Sequence, residues 1–343
     1  MSQAYYAFFI ALIIACFVTP LCRRLAMRTG AMVVPVQRSV HSKPIPHLGG
    51  LAIAAGFMAA ILIIRPAELA TVPMITGGLL VTGLGVVDDV KELRPKVKLL
   101  GQVAAALVLV MGGVRINYLT NPLADVFALG WLSIPFTVLW VVGVINVVNL
   151  SDGLDGLAAG VASIAAFTLL YVAWHQGQPH MVVATAALAG SALGFLPYNF
   201  NPARIFMGDA GSMFLGYILA ALSIQGTLKS AAAIALLIPV LALGLPIFDA
   251  FFAVVRRASN GKPIYEADRS HLHHRLLHLG LSQRQAVVLM YGVSAMLGFA
   301  AILMTALNLR QSGMMLVGII GCGWAVGKKI GILDLRQEKD VQH

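Results

Sequence analysis

Apolar runs of membrane-spanning length recur eleven times along this chain, and that recurrence leaves few folds open to it. They lie near residues 4–22, 48–64, 70–87, 97–112, 130–148, 157–174, 181–197, 211–226, 231–255, 286–306 and 312–327, separated by polar or Gly/Pro clusters. A helix that crosses a bilayer needs about 20 mostly apolar residues, with a range of about 17–25. Of the 343 residues, 59% are hydrophobic and 11% charged, against about 25% charged in soluble domains. Too few charges remain to cover a soluble globule, and a disordered chain would be polar and charge-rich. The sequence predicts an all-α polytopic membrane protein of about 11 transmembrane helices, one integral-membrane domain over residues 1–343.

The net charge of +10 then becomes a question of sidedness. With eleven spans, one face holds residues 23–47, 88–96, 149–156, 198–210, 256–285 and the tail after 327. Counting Lys98 at the membrane edge, that face carries 20 of the 24 basic residues; Arg65, Arg115, Lys229 and Arg310 fall on the other. Basic residues collect on the cytoplasmic side, so the N-terminus is expected outside and the C-terminus in the cytoplasm. Topology accounts for the basic balance without nucleic acid. The first run is not a cleaved signal peptide, because Arg23 and Arg24 follow it instead of preceding it. Cys16, Cys22 and Cys322 have no metal-ligand spacing, and Cys16 and Cys22 point to different faces of one helix, so no disulfide framework is expected.

Acidic residues share the same face: 12 of 14 lie on or near it, Glu68 and Asp125 excepted. Topology gives no reason for this; a site does. Asp88-Asp89 ends the third run, where two adjacent carboxylates repel unless a cation or basic partner is near. Asn146, Asn149, Asp152 and Asp155 recur every third residue, with Gly153 and Gly156 positioned to break the helix. Asp155 also reads as an N-cap of the next span. Asp209, between glycines, precedes an apolar run as an N-cap or as part of a helix N-terminus whose free N–H groups suit a phosphate. His271, His274 and His278 fall on one helical face beside Arg269 and Arg275, a setting for pyrophosphate more than for zinc, or a solvated turn. Asp249 lies late in the ninth run, where an ionisable group implies function or snorkels to the interface, and Pro239, Gly244 and Pro246 should kink that helix.

Six strings in order, VHSKPIPHLGG, VVDDVKEL, NVVNLSDGLDG, IFMGDAGS, PIFDAFFAVVRR and ADRSHLHH, resemble the polyprenyl-phosphate N-acetylhexosamine-1-phosphate transferases over about residues 20–290. The nearest branch makes undecaprenyl-pyrophosphoryl-GlcNAc from UDP-GlcNAc. The HLHH arrangement and the eleventh run favour it over the phospho-MurNAc-pentapeptide transferases, which typically carry three consecutive histidines. Val33 departs from the acidic residue usual in that loop. The resemblance implies that Asp88 and Asp89 are the family's catalytic pair, and that Asp209 and Asn149 bind Mg²⁺, with Mn²⁺ as a substitute. It places Asp152, Asp155, Asn199 and Phe206 around the nucleotide, Phe206 as uracil stacker. Lys43, Lys98, Arg269, His271, His273 and His274 would hold phosphates, with Asp249 beside them.

The implied reaction exchanges one phosphoanhydride for another at the cytoplasmic face of the bacterial inner membrane. It starts a cell-envelope polysaccharide such as lipopolysaccharide or teichoic acid. UDP-N-acetylhexosamine and undecaprenyl phosphate are the implied partners, in a membrane and without nucleic acid; the sequence leaves the oligomeric state open, a homodimer among the options. Either direct attack by the lipid phosphate or an aspartyl-phosphate route satisfies the residues. The reading from another class is a transporter or flippase. It fits less well, because the charges sit at helix ends instead of midplane and no repeat is visible.

Overall fold

The computed structural model describes residues 2–33, 44–67, 70–120, 126–228, 237–259 and 271–329. In order, these form α1 (Ser2–Thr29), β1 (Met32–Val33), β2 (Ile45–Pro46), α2 (Gly50–Ile64), α3 (Thr71–Lys91) and α4 (Pro95–Met111). There follow β3 (Tyr118–Thr120), β4 (Val126–Ala128), a 3-10 turn (Gly130–Leu132), α5 (Ser133–Leu150), α6 (Leu157–His175), α7 (Pro179–Asn199) and α8 (Gly208–Leu228). The chain continues as α9 (Leu237–Ala242), α10 (Gly244–Ser259), α11 (Leu272–His278), α12 (Gln283–Met304) and α13 (Leu309–Lys329). Lys43 and Arg269 lie outside the described residues. The expected helical fold is present, supplemented by two short antiparallel ribbons, β1–β2 and β3–β4, which are too brief to leave an alternating sequence pattern.

Among the described residues, six helices are long and apolar enough to cross a membrane: α1, α3, α5 with its preceding turn, α6, α7 and α12. Their packing is inverted relative to a soluble protein. On α1 the residues at three- to four-residue spacing that face the bundle are Ala4, Ala7, Ala11, Ala15, Thr19, Cys22 and Ala26, all buried. The opposite face exposes Tyr5, Tyr6, Phe9, Ile13, Phe17 and Leu21, with Phe17 74% exposed. Small residues inside and large apolar ones outside are what lipid-facing helices show, because close approach of backbones, not water, drives their association.

The eighth run becomes α8, enclosed on all sides: every residue from Ala210 to Gln225 is buried. It packs against α2, α3, α5, α6 and α7. Two glycines allow this. A Cβ on Gly50 would overlap the backbone of Gly211, and one on Gly85 would overlap the backbone of Ala210. The ninth run, read as one kinked span, is divided into α9 and α10 around Leu243. Pro246 removes a donor and its ring crowds the carbonyl of residue 242, so the regular helix ends there. The C-terminal ends of α3, α5 and α7 and the N-terminal ends of α4, α6 and α8 gather at one end of the bundle.

Gly85→Ala should push α3 from α8 and destabilise the protein by about 1–3 kcal/mol, the usual range for overpacking. Gly83→Ala, two residues away, adds a Cβ that meets nothing within 4 Å and should leave the melting temperature in detergent unchanged.

Candidate active site

The site begins with how α8 starts. The first-turn N–H groups of a helix have no partner within it. Here Asp89, from the last turn of α3, supplies one: Asp209 N donates to Asp89 Oδ1 at 2.8 Å and Ala210 N to Oδ2 at 3.2 Å. Gly208, at φ +71°, leaves the space that the Asp89 carboxylate fills. These amides are therefore not free for a phosphate, as the sequence reading allowed; a carboxylate from another helix caps them. His47, which the sequence reading did not single out as a site residue, approaches Asp89 through a 2.7 Å contact between its Nε2 and the Asp89 carbonyl oxygen.

Asp88 accepts from Leu93 N at 2.7 Å and pairs with Lys98. The same ammonium donates to Asp209 Oδ2 at 2.6 Å. Lys98 thus bridges two carboxylates that are 121 positions apart in sequence, one from α3 and one from α8 (209 minus 88). Asn149, on the last turn of α5, donates to Ser212 Oγ at 3.0 Å and reaches Asp209. Its amide nitrogen is committed there, which leaves the carbonyl oxygen as the end available to a cation. Among the described residues no three Asp, Glu, His or Cys side chains form a ready metal cage. Behind this group, Asn146 and Gln102 pair, Asn146 Nδ2 donating to Gln102 Oε1 at 2.8 Å.

The expected helix break at Gly153 and Gly156 is present, since α5 stops at Leu150 and α6 starts at Leu157. Gly156, at φ +81°, is the N-cap of α6. Asp155 is not the cap; its Oδ2 accepts from Asn201 Nδ2 at 3.0 Å and Ala203 N at 2.9 Å, tying this turn to the segment before α8. Asn199 is 1% exposed. It accepts from Gly156 N at 3.1 Å and donates to Ile205 O at 3.1 Å, so both ends of its amide brace the same two segments. Tyr291 adds a hydroxyl bond to Gly156 O, a brace that a lone tyrosine in an apolar run gave no sign of. Phe206 is half-buried, with its N–H on Pro46 O at 2.8 Å and its carbonyl accepting from Gly49 N at 3.0 Å.

The histidines are grouped differently from the helical-face reading. His271 precedes α11 and is buried, whereas His278 is exposed. The rings in contact are His271 with His273, stacked at 5.7 Å, and His273 with His274 at 4.3 Å. His273 lies against Gly153. It is 3% exposed, and its Nδ1 is without a hydrogen-bond partner among the described residues. Burial, reinforced by neighbouring His274 and His271 against the opposing charge of Asp249, lowers its pKa from 6.5 to about 4. At neutral pH it is an uncharged hydrogen-bonding group, not a counter-ion. Asp249 is turned onto this loop and bonded to His271 and Leu272 N.

Asp152, half-buried in the turn, has its pKa raised to about 7 by burial and then by the charges of Asp209, Asp89 and Asp155. The sign follows from linkage. Folded Asp152 keeps its proton up to about pH 7, while an unperturbed carboxyl ionises near 3.8, so the fold loses stability between those values. Asp152→Asn should match the wild type in thermal unfolding near pH 4. It should melt higher than the wild type at pH 7.5 with divalent cations chelated.

The glycosyl transferase family 4 profile matches residues 71–227, from the start of α3 nearly to the end of α8. A probable undecaprenyl-phosphate N-acetylglucosaminyl 1-phosphate transferase of Bacillus subtilis (strain 168) is 40% identical over 91% of this chain and 88% of its own length. A decaprenyl-phosphate N-acetylglucosaminephosphotransferase of Mycobacterium leprae (strain TN) is 37% identical over 90% and 86%. A phospho-N-acetylmuramoyl-pentapeptide-transferase of Maridesulfovibrio salexigens is more distant, at 29% over 75% and 79%. The chain belongs to glycosyl transferase family 4 and is an enzyme of the polyprenyl-phosphate N-acetylhexosamine-1-phosphate transferase family.

Proposed function

We propose that the protein transfers N-acetylhexosamine-1-phosphate, with GlcNAc as the favoured sugar, from a UDP-sugar to undecaprenyl phosphate and releases UMP. The observation that carries this reading is the Lys98 bridge between Asp88 and Asp209, with Asn149 beside it. It joins acid, base and amide groups from four helices at one end of a membrane bundle, where a lipid phosphate and a soluble nucleotide can meet. The distribution of 20 of 24 basic residues supports a cytoplasmic location for that end, with eleven spans and the N-terminus outside. On this reading the site faces the cytoplasm from a bacterial inner membrane and the reaction starts an envelope polysaccharide.

A lipid-phosphate oxygen attacks the β-phosphorus, the bond from that phosphorus to the bridging oxygen breaks, and UMP departs. The sugar C1–O bond is untouched, so the anomeric configuration is retained. Asp88 is assigned to deprotonate or orient the attacking phosphate. Its partner Lys98 is a side chain that an incoming anion can engage, whereas the Asp89 oxygens hold main-chain N–H groups of α8. Asp209 and Asn149 offer hard oxygen donors suited to Mg²⁺ or Mn²⁺. Such an ion is usually held by one or two carboxylates plus substrate phosphates, which agrees with the lack of a closed cage among the described residues. When bound, it would neutralise phosphate charge. Lys98 and the loop histidines hold the phosphates, and Phe206 offers a ring to uracil. Asp152 lies near the nucleotide, and Asp155 and Asn199 act on it through the turn they brace. Lys43 and Arg269 complete the proposed phosphate set.

Purified protein in nanodiscs should release UMP from UDP-GlcNAc only when both undecaprenyl phosphate and Mg²⁺ are present. Release without the lipid would refute the assignment, as would a preference for UDP-MurNAc-pentapeptide. Asp88→Asn should lower kcat by about 10²–10⁴-fold, the usual contribution of a positioned base. Retained Mg²⁺-dependent turnover in Asp209→Ala would sink the metal assignment. Donor labelled in the β-phosphate, incubated without lipid, should leave no label on the protein.

A further inference from the structure

The proposed chemistry leaves one buried ionisable contact unused. Asp249 on α10 and His271 before α11 are 6% and 5% exposed, and Asp249 Oδ2 meets His271 Nδ1 at 2.9 Å. The other carboxylate oxygen accepts Leu272 N at 2.8 Å, so Asp249 has both oxygens bound to protein groups. A carboxylate at Nδ1 fixes the ring's orientation and keeps the proton on that nitrogen, which leaves Nε2 for a ligand. The His271 ring lies nearly parallel to His273, at 5°, and His273 rests on Gly153, next to Asp152. One carboxylate therefore anchors the head of α11 and, through the ring stack, sets where the imidazoles face the α5–α6 turn.

We propose that Asp249 is a positioning residue for the donor diphosphate: it holds His271 by Nδ1 and thereby aligns the His271–His273 row against the turn that carries Asp152. This rests on the reading of that end of the bundle as a nucleotide-sugar site. The role differs from a direct substrate contact, because Asp249 is buried and each of its oxygens already holds a group of the histidine loop.

Asp249→Asn, His271→Ala and the double variant are compared in the Mg²⁺-loaded enzyme. Each single change should raise KM for UDP-GlcNAc by about 10–100-fold, the range for partners that orient a ligating histidine. KM for undecaprenyl phosphate should stay within about twofold, and the double variant should be no worse than His271→Ala, since both changes remove one interaction. Equal effects on both substrates, or losses that multiply, would overturn the proposal. His271→Ala keeps Asp249 on Leu272 N, so it serves if Asp249→Asn does not fold. NMR of ¹⁵N-histidine-labelled wild-type protein, without donor, reads the pair directly. The Nδ1–H form of His271 supports it and the Nε2–H form refutes it. A wild type that has this tautomer but releases no UMP would refute the donor role along with the proposed reaction, while the dyad itself would stand.

Discussion

A helix enclosed on every side cannot leave its first amides to water, and α8 is such a helix. In a membrane bundle an unpartnered N–H is expensive, and five other helices pack against α8. Asp89 resolves this from α3 by accepting from Asp209 N and Ala210 N. The cap has a consequence beyond stability. It brings Asp88, the preceding residue, and Asp209, the first acidic side chain of α8, to the same lysine. The charged centre is thus tied to the requirement that a buried helix be capped. Of the two adjacent aspartates, one is engaged by the scaffold and the other by Lys98.

The walls of the site are held by side chains with little or nothing left for substrate. Asn199 spends both ends of its amide, and Asp155 accepts from Asn201 and Ala203. Asp249 does the same for the histidine loop. Groups held in this way keep their geometry without a ligand, which is what a site must do to stabilise charge as it develops. The neutral His273 fits this picture: it is held in the wall by its contacts with His271, His274 and Gly153, while Lys98 carries charge at the acid cluster.

How much of this was legible in the sequence follows from the range of each signal. Hydropathy is local, so the apolar runs show where most helices lie, α8 among them. What they do not show is that the neighbours of α8 are protein, with Ser212, Ser223 and Gln225 buried within it. Proline and glycine chemistry is local too, and the breaks at Gly156 and near Gly244 were readable. The prolines and glycine of the ninth run predict a kink, and the structure interrupts the helix there between Ala242 and Gly244.

The sequence by itself determined that the chain is helical, with several helices long and apolar enough to cross a membrane, and that its carboxylates and imidazoles lie in a few clusters between apolar runs. These depend on composition and on neighbours within a few residues. Only the tertiary structure decided which aspartate caps α8, that Asp155 braces a loop instead of a helix, and that His271 joins His273 while His278 faces outward. Each of those pairings joins groups whose distance apart is set by how helices pack, and no periodicity in the chain encodes it. The lysine that joins Asp88 to Asp209 was visible as a residue, but its meeting with both depended on the glycines that let α3 and α8 touch.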